Sequence, residues 1–145
     1  MSDTTYKFGV RLFLAGNAPS LAEFIPIFHG LIQRKALPGH QLVDVHDYSH
    51  VAGGPGILLV AHEANINFDG QSLTYTRKQP ATLAETLAHA RQAAKLLELP
   101  VAAQFEVFVN DRLAEVTVAQ IAAVVTGKVT VKAVDPRERQ TFVVS

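Results

Sequence analysis

The densest run of acid–base and ligand-forming side chains in the chain is Asp44-Val45-His46-Asp47-Tyr48-Ser49-His50. On an extended strand Asp44 and His46 share a face. A carboxylate beside an imidazole raises its pKa and selects its tautomer, which suits a general base. His46 and His50 are four positions apart, and two imidazoles could share zinc or iron. That spacing brings side chains together only on a helix, whereas this segment reads as a strand followed by a loop. No metal site is therefore expected, and the plain alternative is a set of loop side chains bonded to nearby backbone.

His62 is the second focus. It lies with Leu58, Val60, Ile66 and Phe68 on one face of a strand read from Ile57 to Phe68, with Arg77 opposite on the returning strand. A neighbouring guanidinium disfavours the imidazolium, so a buried and neutral His62 is expected. The bland account is a hydrogen-bonded core histidine. The functional account is a pocket in which His62 and Arg77 converge, with the arginine selecting a carboxylate or phosphate. Gly53-Gly54-Pro55-Gly56 would turn His50 back toward His62, and His29, on the flank of the first helix, would stand at the edge. His50, His62, Arg77 and His29 are thus the ligand-binding candidates, while His50, His62, Asp44 and His46 are the acid–base candidates. His40 and His89 read as solvated, and Asn110-Asp111-Arg112-Leu113 as a turn with a local Asp–Arg pair. No nucleophile elbow, zincin helix or dinucleotide fingerprint is present, and the Gly run precedes a strand instead of opening a helix, so no cofactor is indicated.

The elements that must position these residues follow from periodicity. Tyr6 to Leu14 alternates as a half-buried strand. Ser20-Leu21-Ala22-Glu23 opens a helix to about Lys35, with Pro26 expected to kink or break it. Gln41 to His46 is a short strand, Asp47 to Gly56 a loop, and Ile57 to Phe68 one long strand. Asp69-Gly70 signals a two-residue hairpin, pairing Phe68 with Gln71, Ile66 with Leu73, Ala64 with Tyr75 and His62 with Arg77. Thr82-Leu83-Ala84-Glu85 opens a second helix ending near Pro100, and Gln104 to Asn110 is a strand. Thr117 to Gln120 precedes a short helix stopped by Gly127. Val129 to Val134 and Thr141 to Val144 form a terminal hairpin. The expected fold is a single α+β domain over residues 1–145, with a mixed, antiparallel-rich sheet and two or three helices mainly on one face. Residues 1–5 and 136–145 are expected to be flexible.

Composition narrows the partners. The chain has 145 residues, 48% hydrophobic and 18% charged, enough for one sizeable core. Lys plus Arg and Asp plus Glu both number 13, which argues against nucleic acid, since phosphate binding needs a basic excess. The same neutrality does not oppose self-association, so a homodimer is expected. Without cysteine, disulfides, thiolate metal sites and a Cys nucleophile are excluded. No signal peptide or membrane span is seen, and the cytosol is the simplest compartment.

Phe28-His29, Ile32-Gln33, Asp44-Val45, Tyr48-Ser49-His50-Val51, Gly54-Pro55-Gly56, Leu59 to Ala64 and Asn110 to Leu113 together resemble a group of short bacterial hypothetical proteins. The resemblance covers the chain to about Leu113. It implies a bacterial cytoplasmic origin, and no activity, cofactor or catalytic residue. Three functions stay open: a binding or regulatory module for a small anionic metabolite, a small hydrolase or isomerase using a His/Asp pair with or without a metal, and a structural dimerisation protein.

Overall fold

The computed structural model describes residues 5–110, 116–132 and 140–145. Eight strands and three helices follow one another as β1 (Phe8–Leu14), α1 (Leu21–Arg34), β2 (Leu42–Tyr48), β3 (Gly56–Ala61), β4 (Ala64–Phe68), β5 (Ser72–Arg77), α2 (Leu83–Leu96), β6 (Val101–Val109), α3 (Val118–Ala122), β7 (Val129–Val131) and β8 (Gln140–Val144). The strands form one sheet in the order β2-β3-β4-β5-β1-β6-β8-β7. The α+β class holds, and the sheet expected to be mixed is antiparallel in every described pair. β1 sits between β5 and β6, which α2 connects, so the centre of the sheet is a split β-α-β unit.

Alternation explains which face the helices cover. Val10 and Leu12 of β1, Leu73 and Tyr75 of β5, Ile66 and Phe68 of β4 and Val107 of β6 are buried on one face. Against that face α1 buries Phe24, Phe28 and Leu31, and α2 buries Leu83, Leu87, Ala90 and Ala94. Phe24 stacks on Phe68 with ring centroids 4.0 Å apart. α1 rests on β2 and β3, and α2 on β1 and β5. The opposite face is polar at Arg11, Thr74, Thr76 and Asn67, and there the Phe108 ring lies across Gly9, so close that a β-carbon on Gly9 would fall 2.0 Å from it.

Local chemistry sets the helix starts. The Ser20 amide donates to the Glu23 carboxylate at 2.9 Å, and Thr82 and Glu85 bond reciprocally at 3.4 and 3.2 Å. Pro26 does not break α1. The carbonyl it leaves without an amide belongs to Ala22, an exposed residue that water can satisfy.

Two expectations about the strands are corrected. The single strand from Ile57 to Phe68 is two, because the chain reverses at His62-Glu63 and Leu59 pairs with Ile66. Neither turn residue needs a left-handed backbone, so no glycine marks the reversal. It is held from outside: the His62 amide donates to the Gln41 carbonyl at 3.0 Å, the Lys78 amide to the Glu63 carbonyl at 2.9 Å, and the Gln41 amide to the Glu63 carboxylate at 2.8 Å. The β4–β5 hairpin exists, but its register is displaced by two. Phe68 pairs with Leu73, Ile66 with Tyr75 and Ala64 with Arg77. Asp69 flanks the turn instead of occupying its centre. Its carboxylate accepts from the Gln71 and Ser72 amides at 2.8 and 2.9 Å, and Gly70, at φ 96°, takes the left-handed position. A shift of two preserves which residues face the core.

β2 extends to Tyr48, beyond the expected strand end at His46. The terminal hairpin is present as β7 against β8. The continuation to Val134, the Asp135–Glu138 turn and the proposed Asp111–Arg112 pair lie outside the described residues.

Candidate functional site

The expected histidines do not meet. His62 is exposed at the tip of the β3–β4 turn, and the residue opposite Arg77 is Ala64. The expectation of a buried His62 beside Arg77 fails because the chain turns there. His50 is exposed in the loop between β2 and β3, at the other end of β3 from His62. The six residues of β3 separate the two by roughly 20 Å at the usual rise per residue, so no small ligand can bridge them. His29 is exposed on α1. Asp44 and His46 do share a face, 3.7 Å apart, but both are exposed on the edge strand. Among the described residues no three His, Asp or Glu side chains gather to hold a metal ion.

Arg77 instead belongs to a cluster built from three segments. β5 places Tyr75 and Arg77 two residues apart, hence on the same core-facing side. Tyr75 has 0% relative exposure and Arg77 8%. α2 lies over β5 and brings His89. The connector after α1 turns at Gly39, with φ 76°, and brings His40. The two histidines expected to be solvated are therefore half-buried and in mutual contact, with ring centroids 4.6 Å apart.

The Tyr75 hydroxyl is the hub. His40 Nε2 lies 2.5 Å from it, His89 Nδ1 3.3 Å, and Arg77 Nη1 donates to it at 3.0 Å. The direction of each bond follows from donor counting. His40 Nδ1 is 3.0 Å from the Pro38 carbonyl, which only accepts, so that nitrogen carries the proton. In the neutral ring Nε2 is then an acceptor, and Tyr75 donates to it. The two lone pairs of the phenol oxygen remain, one taking the Arg77 N–H and the other a His89 Nδ1–H. The neutral His89 therefore keeps its free lone pair on Nε2, for which no partner exists among the described residues.

Electrostatics agree with neutral rings. Burial lowers the His40 pKa, helped by Arg77 and opposed by the Pro38 carbonyl and Glu63. Burial also lowers that of His89, helped by His40 and Arg77 and opposed by Glu85. Burial raises the Tyr75 pKa, against the Arg77 hydrogen bond. Arg77 spends Nε on the Gln79 carbonyl at 2.9 Å and Nη1 on Tyr75, and no carboxylate among the described residues comes within ion-pair distance of it. Glu63 and Glu85 act on the cluster only through space.

The parts of this cluster were visible singly in the sequence, but no spacing links positions 40, 75, 77 and 89. The only local signal was the pairing of Tyr75 and Arg77 on one strand face.

No family model, curated protein or solved structure matches the chain.

Proposed function

We propose that the His40–Tyr75–Arg77–His89 cluster binds a small anion such as a carboxylate or phosphate, as a ligand-binding or regulatory module would. The observation that carries this reading is Arg77, 8% exposed, whose guanidinium meets no carboxylate among the described residues. A largely desolvated cation lacking a counter-charge is costly, and a bound anion would offset that cost while engaging the remaining Nη1 and Nη2 donors. The neutral histidines add no repulsion to a cationic centre already present. The test is thermal unfolding in acetate or sulfate against chloride at equal ionic strength. Both oxyanions are expected to raise the Tm of the wild-type protein by more than that of Arg77→Met, whose shift measures the general salting effect. Equal oxyanion-induced shifts in the two proteins remove the reading.

The alternative, a small isomerase or hydrolase, draws support from the same hydrogen-bond chain and not from Asp44 and His46. A proton accepted at His89 Nε2 could be compensated by transfer from Nδ1 to Tyr75 and from Tyr75 to His40. Deuterium incorporation into pyruvate in heavy water, abolished by His89→Leu, would favour this second reading.

A further inference from the structure

Once Arg77 is taken as the anion's counter-charge, the cluster specifies more than a charge. The phenol oxygen of Tyr75 has all its hydrogen-bonding capacity assigned: it donates to His40 and accepts from Arg77 and His89. It has nothing left for a ligand. His40 is likewise engaged at both nitrogens. Two groups keep capacity among the described residues, the remaining Nη1 and Nη2 donors of Arg77 and the lone pair on Nε2 of His89. Both side chains bond the same hydroxyl, Arg77 through Nη1 at 3.0 Å and His89 through Nδ1 at 3.3 Å, which leaves Nη2 and Nε2 as the free atoms of two groups on one hub. One offers donors to an anionic oxygen, and the other demands a donor.

Building on the anion-binding reading, we infer that the site selects anions carrying their own hydroxyl donor, the hydroxycarboxylates, with the carboxylate on Arg77 and the hydroxyl donating to His89 Nε2. A plain carboxylate of the same charge leaves that nitrogen unpaired, and the contribution of one such hydrogen bond corresponds to about three- to tenfold in affinity. The selectivity depends on the tautomer, which Tyr75 imposes by accepting from Nδ1. It also requires neutral imidazole at the working pH. Burial favours that state, as do His40 from the connector and Arg77 from β5, while Glu85 from the first turn of α2 opposes it. Glu63, from the β3–β4 turn, acts on His40 and not directly on His89.

Glycolate and acetate differ by this one hydroxyl and serve as the probes. Titration calorimetry at pH 7.5 should show glycolate binding the wild-type protein about three- to tenfold more tightly. In His89→Leu the two should bind alike. In Tyr75→Phe the preference should shrink, because the ring is free to move its proton to Nε2. Nitrogen-15 NMR of the wild-type imidazoles should find His89 protonated on Nδ1. Equal wild-type affinity for the two probes, a preference that persists in His89→Leu, or a proton on Nε2 overturns the inference while leaving an anion site in place. Failure of both probes to bind removes the anion reading itself.

Discussion

Tyr75 and His40, 35 positions apart, meet with the phenol oxygen 2.5 Å from Nε2. Because the Pro38 carbonyl holds the proton on Nδ1 of the same ring, this contact orients the hydroxyl and, through it, the bonds it accepts from Arg77 and His89.

Replacing Tyr75 with Phe keeps the ring's packing and removes the hub. Arg77 Nη1, His40 Nε2 and His89 Nδ1 then lose a partner each. Orphaning buried polar groups costs on the order of 1–3 kcal/mol, read as a lower urea midpoint at an unchanged m-value. A loss below about 0.5 kcal/mol would mean that water replaces the hydroxyl.

The histidines set a pH dependence with a definite sign. His40 and His89 have folded-state pKa values below their ordinary value, so near that value the unfolded chain binds more protons than the folded one. Stability is then fully present above about pH 6.5 and falls as the pH drops through the folded values. Urea midpoints between pH 7.5 and 5 should decline, and the double variant His40→Gln, His89→Gln should flatten the slope. An unchanged slope would place its origin in carboxylates elsewhere.

Gly9 and Phe108 offer a test of the sheet face opposite α1 and α2. A β-carbon at Gly9 would stand 2.0 Å from the Phe108 ring, so Gly9→Ala should destabilise by about 1–3 kcal/mol through overpacking. Combining it with Phe108→Leu, which withdraws the ring, should cost less than the sum of the single changes. Additive costs would show that the ring swings away freely.

His50 and His62 are both exposed in loops at opposite ends of β3. Alanine at either position should change stability by less than about 0.5 kcal/mol and leave any acetate-induced Tm shift intact. A lost shift in His62→Ala would require its turn to reach the cluster, close to Glu63.

The residues alone determined what depends on near neighbours. Ser20 with Glu23 and Thr82 with Glu85 mark the helix starts because a capping box closes within four residues. The alternation in β1 assigns its buried face, and Gly70 marks a reversal because the turn needs a left-handed backbone. Even with the register wrong by two, Ile66, Leu73 and Tyr75 were assigned to a common face, since side-chain direction repeats every two residues. The tertiary structure alone decided what depends on distant partners. The reversal at His62-Glu63 has no turn residue of its own and is held by bonds to Gln41 and Lys78. Reading through it placed His62 on a core face that it never reaches. His40, Tyr75, Arg77 and His89 come together because α2 and the connector after α1 both close over β5, and bonds between residues 35 and 14 positions apart leave no periodicity in the chain that forms them.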